Sequence, residues 1–111
     1  MIYHITTCAD WDSAKEVGEY TADSLESEGF IHCSVAVQVQ ATANRFFRGR
    51  QDLVLLSINE KGVTAEIKYE NLEGGMDLFP HVYGPLPVKA VIRVLDLLPD
   101  QDGFFLINLK N

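Results

Sequence analysis

The chain has no apolar run near the ~18 residues a bilayer span needs, and its start, Met-Ile-Tyr-His-Ile-Thr, lacks the basic residues and long apolar stretch of a secretory signal. Both absences lead to the expectation of a soluble, cytoplasmic protein with no membrane partner. Cysteine is scarce too. Cys8 and Cys33 are too few for a disulfide framework, and both are expected to be reduced. Basic residues are outnumbered, with 9 Lys and Arg against 16 Asp and Glu, for a formal net charge of −7. An acidic surface repels a phosphate backbone, which argues against nucleic acid as a non-specific partner. The chain also lacks Cys-x-x-Cys, His-x-x-x-His and any internal repeat. No metal is expected.

What remains is an ordinary globular composition, 47% hydrophobic over 111 residues. That supports one domain, 1–111, with one core, expected to act as a monomer.

Residues 2–6 are mostly β-branched or aromatic and predict a first strand. Asp10 is expected to cap a helix over 10–17, with Trp11, Ala14 and Val17 on one side and Gly18 as its stop. One helical turn is expected over 24–28, and a second strand over 30–33. Ser34 is expected to cap the best helix, 35–48, whose stripe is Val35, Val39, Ala43, Phe46 and Phe47. The apolar run 53–58 suits a central strand buried on both faces. Residues 63–70 alternate apolar and polar, and Glu60-Lys61-Gly62 suggests a hairpin between the two. Glu73-Gly74-Gly75 marks a loop. Pro80, Pro85 and Pro87 hold 79–87 extended or turned. A last strand is expected over 90–98 and a short edge strand over 103–109. Helices that cluster early and strands that outnumber them point to an α+β fold.

Three histidines dominate the candidate chemistry. In Phe30-Ile31-His32-Cys33-Ser34, alternation puts His32 on one face with Phe30 and Ser34, and Ile31 with Cys33 on the other. Adjacent strand residues cannot form a thiol–imidazole pair, so Cys33 reads as core. His32 and Ser34 at a helix start suit an anion, or else Ser34 only caps and His32 is structural. His4, in the first strand, gains interest only from its company. Phe79, His81 and Tyr83 would line one side of a stiff segment, either stacking a planar ligand or plugging the core. Arg45, Arg48 and Arg50 either complement a helix C-terminus or clamp a phosphate. Glu70 closes a strand, where it could serve as a base or hold a ribose hydroxyl; otherwise Glu66, Glu70 and Glu73 form a solvated edge.

Taken together, Tyr3-His4-Ile5, Trp11, Gly18 with Tyr20, Glu28-Gly29-Phe30-Ile31-His32-Cys33-Ser34, Gln38, Asp52-Leu53-Val54-Leu55-Leu56, Glu70 and Phe79-Pro80-His81-Val82-Tyr83-Gly84-Pro85-Leu86 resemble a small, mainly bacterial domain-of-unknown-function family, number 952. The resemblance spans about residues 2–95. It implies a fold similar to the ADP-ribosyltransferases: a split antiparallel β-sheet with helices packed at the side. By that likeness NAD is the expected substrate. His4 would bind the nicotinamide ribose and His32 would lie against the nicotinamide. Glu70 would be the catalytic carboxylate, with His81 as its rival. Lys68-Tyr69-Glu70 departs from the hydroxyl or glutamine context of the transferase glutamate. Ser34, Phe79, His81, Tyr83, Arg45 and Arg48 are the expected ligand contacts. The alternatives are a non-catalytic small-ligand or nucleotide module on the same fold and, third, a three-histidine metal hydrolase.

Overall fold

The computed structural model describes residues 1–72 and 74–109; Glu73, named above in a loop and an acidic edge, lies outside the described residues. β1 (Ile2–Thr7) runs directly into α1 (Cys8–Val17), and β2 (Glu19–Tyr20) leads to α2 (Asp23–Glu28). β3 (Ile31–His32) precedes a 3₁₀ turn at Ala36–Gln38 and then α3 (Val39–Phe46). The second half is β4 (Leu53–Ile58), β5 (Ile67–Glu70), β6 (Phe79–Val82), β7 (Leu86–Pro87) and β8 (Val91–Leu97). This is the expected α+β class, and every strand pair is antiparallel.

Strand order is β1-β4-β8 in one sheet, β2-β7 in a second and β3-β6-β5 in a third. Tyr3 and Ser34 join the first to the third by exchanging two backbone hydrogen bonds of 2.8 Å. β4 is central and all six of its residues are buried. Its alternation feeds two cores. Val54, Leu56 and Ile58 pack with Trp11, Ile31 and Leu86, whereas Leu53 and Leu55 pack with Val39, Ala43 and Phe105.

Several elements differ from expectation. Thr7, not Asp10, caps α1: its hydroxyl accepts the Asp10 N–H at 3.0 Å. Ser34 does not cap a helix: its backbone pairs with Tyr3, its hydroxyl faces Thr42 Oγ1 at 3.5 Å, and Val35 stands at the start of the 3₁₀ turn. Instead the Gln38 side chain reaches back to accept the Val35 N–H at 3.0 Å, and α3 begins only at Val39. Phe46, expected in the buried stripe, is 57% exposed. No hairpin joins β4 to the next strand, since β1 and β8 already occupy both edges of β4. The chain departs through Glu60–Gly62, residues 63–66 stay irregular, and β5 pairs with β6. Residues 103–109 form no edge strand. Side chains of α3 take their amides: Asn44 accepts from Phe105 at 2.6 Å and Gln40 from Ile107 at 2.9 Å. The pairing of β2 with β7 has no counterpart in the sequence reading, as each strand is only two residues long.

Candidate functional site

β3 and β6 pair so that His32 lies directly opposite His81, which puts both imidazoles on one face of the third sheet. Gly29 delivers that register. It ends α2 with φ 90°, a left-handed conformation that a Cβ would strain, and turns the chain into β3. The rings of His32 and His81 meet edge-on at 5.4 Å, and Phe30 stacks on His81 at 4.1 Å. Ile31 and Cys33 face the opposite way, into the core, and burial raises the Cys33 thiol well above its ordinary range. Strand alternation was a sound guide here.

Each of these imidazoles is held by a carboxylate. His81 Nδ1 lies 2.9 Å from Glu70 Oε1, and the Tyr83 hydroxyl donates to the same oxygen. Register again explains it: Glu70 faces Phe79 at the end of β5, two residues along β6 from His81. With two donors on one oxygen, Oε2 has no hydrogen-bond partner among the described residues. Tyr83 first, and His81 second, hold the Glu70 carboxyl below its usual range. The same contact pushes the Tyr83 phenol up to about 12. On the other side His32 Nε2 lies 2.9 Å from Glu28 Oε2, with both side chains about half exposed. A carboxylate can only accept, so the bonded nitrogens carry the protons. In the neutral rings, His81 Nε2 and His32 Nδ1 are therefore the unprotonated positions.

His4 behaves differently. Its Nδ1 donates to the His32 carbonyl at 2.5 Å, and its Nε2 lies 2.8 Å from the Tyr20 hydroxyl. Burial lowers its pKa to about 4, so the ring is neutral at pH 7 and Nε2 is an acceptor. Tyr20 gives its proton there, and the Thr6 hydroxyl, 3.0 Å away, completes the chain. Desolvation pushes the Tyr20 phenol up to about 12. His4 is thus spoken for within the protein, and it fixes the backbone that carries His32.

A cleft of about 920 Å³ opens over this face. His32, His81, Glu70 and Phe30 line one wall, while Thr42, Arg45 and Phe46 of α3 line the other. Ser34 and Phe79 also border it, with Ser34 Oγ 3.5 Å from Thr42 Oγ1. Of the expected ligand contacts, Tyr83 sits behind Glu70 as its donor. Arg48 is elsewhere: its guanidinium lies 3.9 Å above the Phe104 ring and donates to the Asp102 carbonyl. Arg50 is paired with Asp52 at 2.7 Å. The three arginines therefore form no common phosphate clamp. Glu66, near Lys68 at 3.9 Å, belongs to the solvated edge, but Glu70 does not. Among the described residues no three His, Cys, Asp or Glu side chains are grouped as metal ligands, and no helix is long and apolar enough to cross a membrane.

Sequence reading gave no site role to Glu28, Tyr20 or Thr6, although Glu28 and Tyr20 stand among the residues that carry the family resemblance. Glu28 stands four residues before His32, a spacing that signals proximity on a helix but not across a glycine turn into a strand.

A family model described as "Protein of unknown function (DUF952)" matches residues 5–94. The chain belongs to this family. It is similar to protein CC0527 of Caulobacter crescentus in a crystal structure, at 40% identity and a TM-score of 0.85, covering 95% of this chain and 92% of that one. The solution structure of CC0527 agrees, at 41% identity and a TM-score of 0.81, covering 93% and 89%. No curated protein matches.

Proposed function

We propose that this DUF952 chain binds NAD in the cleft and breaks the bond between nicotinamide and ribose, in the manner of the ADP-ribosyltransferases. The observation that carries the reading is Glu70: an ionised carboxylate on the cleft wall with one oxygen anchored by Tyr83 and His81 and the other without a partner among the described residues. In such a reaction the unpartnered oxygen accepts a ribose hydroxyl, and its charge stabilises the oxocarbenium-like centre as nicotinamide departs. Phe30 and His81, stacked on each other at 4.1 Å, make a rigid aromatic wall behind the more exposed His32, and Arg45 borders the cleft on the side of α3. The choice of NAD comes from the likeness in fold to the ADP-ribosyltransferases that the family resemblance implies. The cleft volume falls in the range of small-molecule sites, ~300–1,000 Å³.

One observation favours a second reading, a module that binds a small ligand without turnover. His4, the expected ribose contact, has both ring nitrogens engaged within the protein. Titration with NAD, ADP-ribose and nicotinamide, followed by NMR, tests the proposal. Saturable shifts at His32, His81 and Phe30, with nicotinamide released over time, are expected. Saturable shifts without release would select the binding module, and no shift with any of the three would end the nucleotide reading.

A further inference from the structure

The cleft holds a second carboxylate–imidazole pair that the chemistry above does not use. Glu28, the last residue of α2, bonds His32 Nε2 at 2.9 Å, leaving Nδ1 without a partner among the described residues. His32 lies nearer solvent than His81: its side chain is 49% exposed, against 6% for His81. Phe30 meets its ring at 4.8 Å and fixes it against His81. The result is an oriented imidazole at the solvent side of the cleft, one ring away from the carboxylate assigned to the ribose.

We propose that His32, oriented by Glu28, removes the proton from a hydroxylic acceptor, so that the ADP-ribosyl group passes to water or to an alcohol. This rests on the NAD reading. The bond between ribose C1′ and the nicotinamide nitrogen breaks, and its electron pair stays with the ring, which leaves neutral. The acceptor oxygen bonds to C1′, and its proton moves to His32 Nδ1 and then to solvent. No proton is needed by the leaving group, so a single base suffices. The acceptor class follows from the same groups. A guanidinium, with a pKa above ~12, has no free lone pair to attack with until it has lost a proton, whereas a hydroxyl oxygen attacks with a lone pair it already has and gives up its proton only as the bond to C1′ forms. A carboxylate has no proton to remove and would have no use for the base. A hydroxyl group needs that base. Glu28 is a positioning residue, holding the tautomer that exposes Nδ1 and stabilising the imidazolium that forms.

The test compares wild type with His32→Gln, Glu28→Gln and Glu70→Gln for NAD binding and nicotinamide release, with and without azide. Azide is an anionic nucleophile with no proton to lose. His32→Gln should still bind NAD saturably, lose roughly 10²–10⁴-fold in release at saturating NAD in water, and recover with azide. Glu28→Gln should lose less and recover likewise. Glu70→Gln should not recover, because its defect lies at the ribose. Retained release in His32→Gln, or failure of azide to restore it with binding intact, overturns the proposal. If wild type releases no nicotinamide, the NAD reading fails by itself, and ¹⁵N NMR of His32 then decides the pair. A neutral ring protonated at Nε2, losing that preference in Glu28→Gln, supports the oriented base. A ring with no tautomer preference in wild type overturns it.

Discussion

His4 donates its Nδ1 proton to the backbone carbonyl of His32 at 2.5 Å, so a buried side chain of β1 sets the position of the strand that carries the cleft imidazole. Tyr20 donates to Nε2 only while His4 is neutral, and burial favours that neutral form.

This makes acid stability a direct readout. The folded pKa of about 4 lies below the ordinary 6.5, so the unfolded chain takes up the proton first as pH falls. Stability from the neutral ring is complete above about pH 6.5 and is lost as pH drops toward 4. The difference corresponds to about 3 kcal/mol at most. Urea unfolding between pH 7 and 4.5 should show that slope. His4→Phe should flatten it, while costing about 1–3 kcal/mol at pH 7 from the unpaired His32 carbonyl and Tyr20 hydroxyl. A slope unchanged in His4→Phe would assign the acid sensitivity to another group.

Glu70→Gln should lower nicotinamide release roughly 10²–10³-fold while NAD binding changes modestly. It carries a second signature that needs no substrate. Tyr83 is pushed up to about 12 mainly by the Glu70 carboxylate, so the neutral amide should let its phenol fall toward ~10. Difference titration of tyrosine absorbance, wild type minus variant, should show one phenol ionising earlier. No change would separate Tyr83 from Glu70 in solution.

Gly84 follows Tyr83 where the chain passes close to residue 65. A Cβ at this position would lie 2.8 Å from Ala65 Cβ, closer than two carbon atoms approach without one of them moving. Gly84→Ala is therefore expected to cost about 1–3 kcal/mol, with shift changes at Tyr83 and Glu70. A melting temperature equal to wild type would mean the 63–66 segment gives way freely.

Asn44 holds the C-terminal segment from both sides, accepting from the Phe105 N–H at 2.6 Å and donating to its carbonyl at 3.1 Å. Asn44→Ala should destabilise by about 1–3 kcal/mol and speed hydrogen exchange at Phe105 and Ile107 above all. Asn44→Asp, which keeps the acceptor, should protect Phe105 better than alanine does. Equal exchange in all three proteins would show that packing of the buried Phe105 ring is the stronger hold.

The sequence by itself determined the elements whose local pattern has one reading. A nearly unbroken apolar run at 53–58, interrupted only by Ser57, suits a strand covered on both sides, and β4 is that strand. Period-two alternation fixed which of residues 30–34 face the cleft and which the core. The family's motifs brought His32, Glu70 and His81 into one candidate site, and they do line one wall. Tertiary structure decided what depends on partners far along the chain. Whether Ser34 caps a helix or pairs with Tyr3, whether 63–70 makes a hairpin with β4 or β5 pairs with β6, and whether 103–109 joins a sheet or is taken by Asn44 and Gln40 are all contests for the same backbone groups. Local propensity cannot settle them, because a free N–H or carbonyl is satisfied equally well by any donor or acceptor the fold brings near. The same holds for the histidines: three look alike in the sequence, and the structure engages both ring nitrogens of His4 while leaving His32 and His81 one nitrogen each without a partner among the described residues.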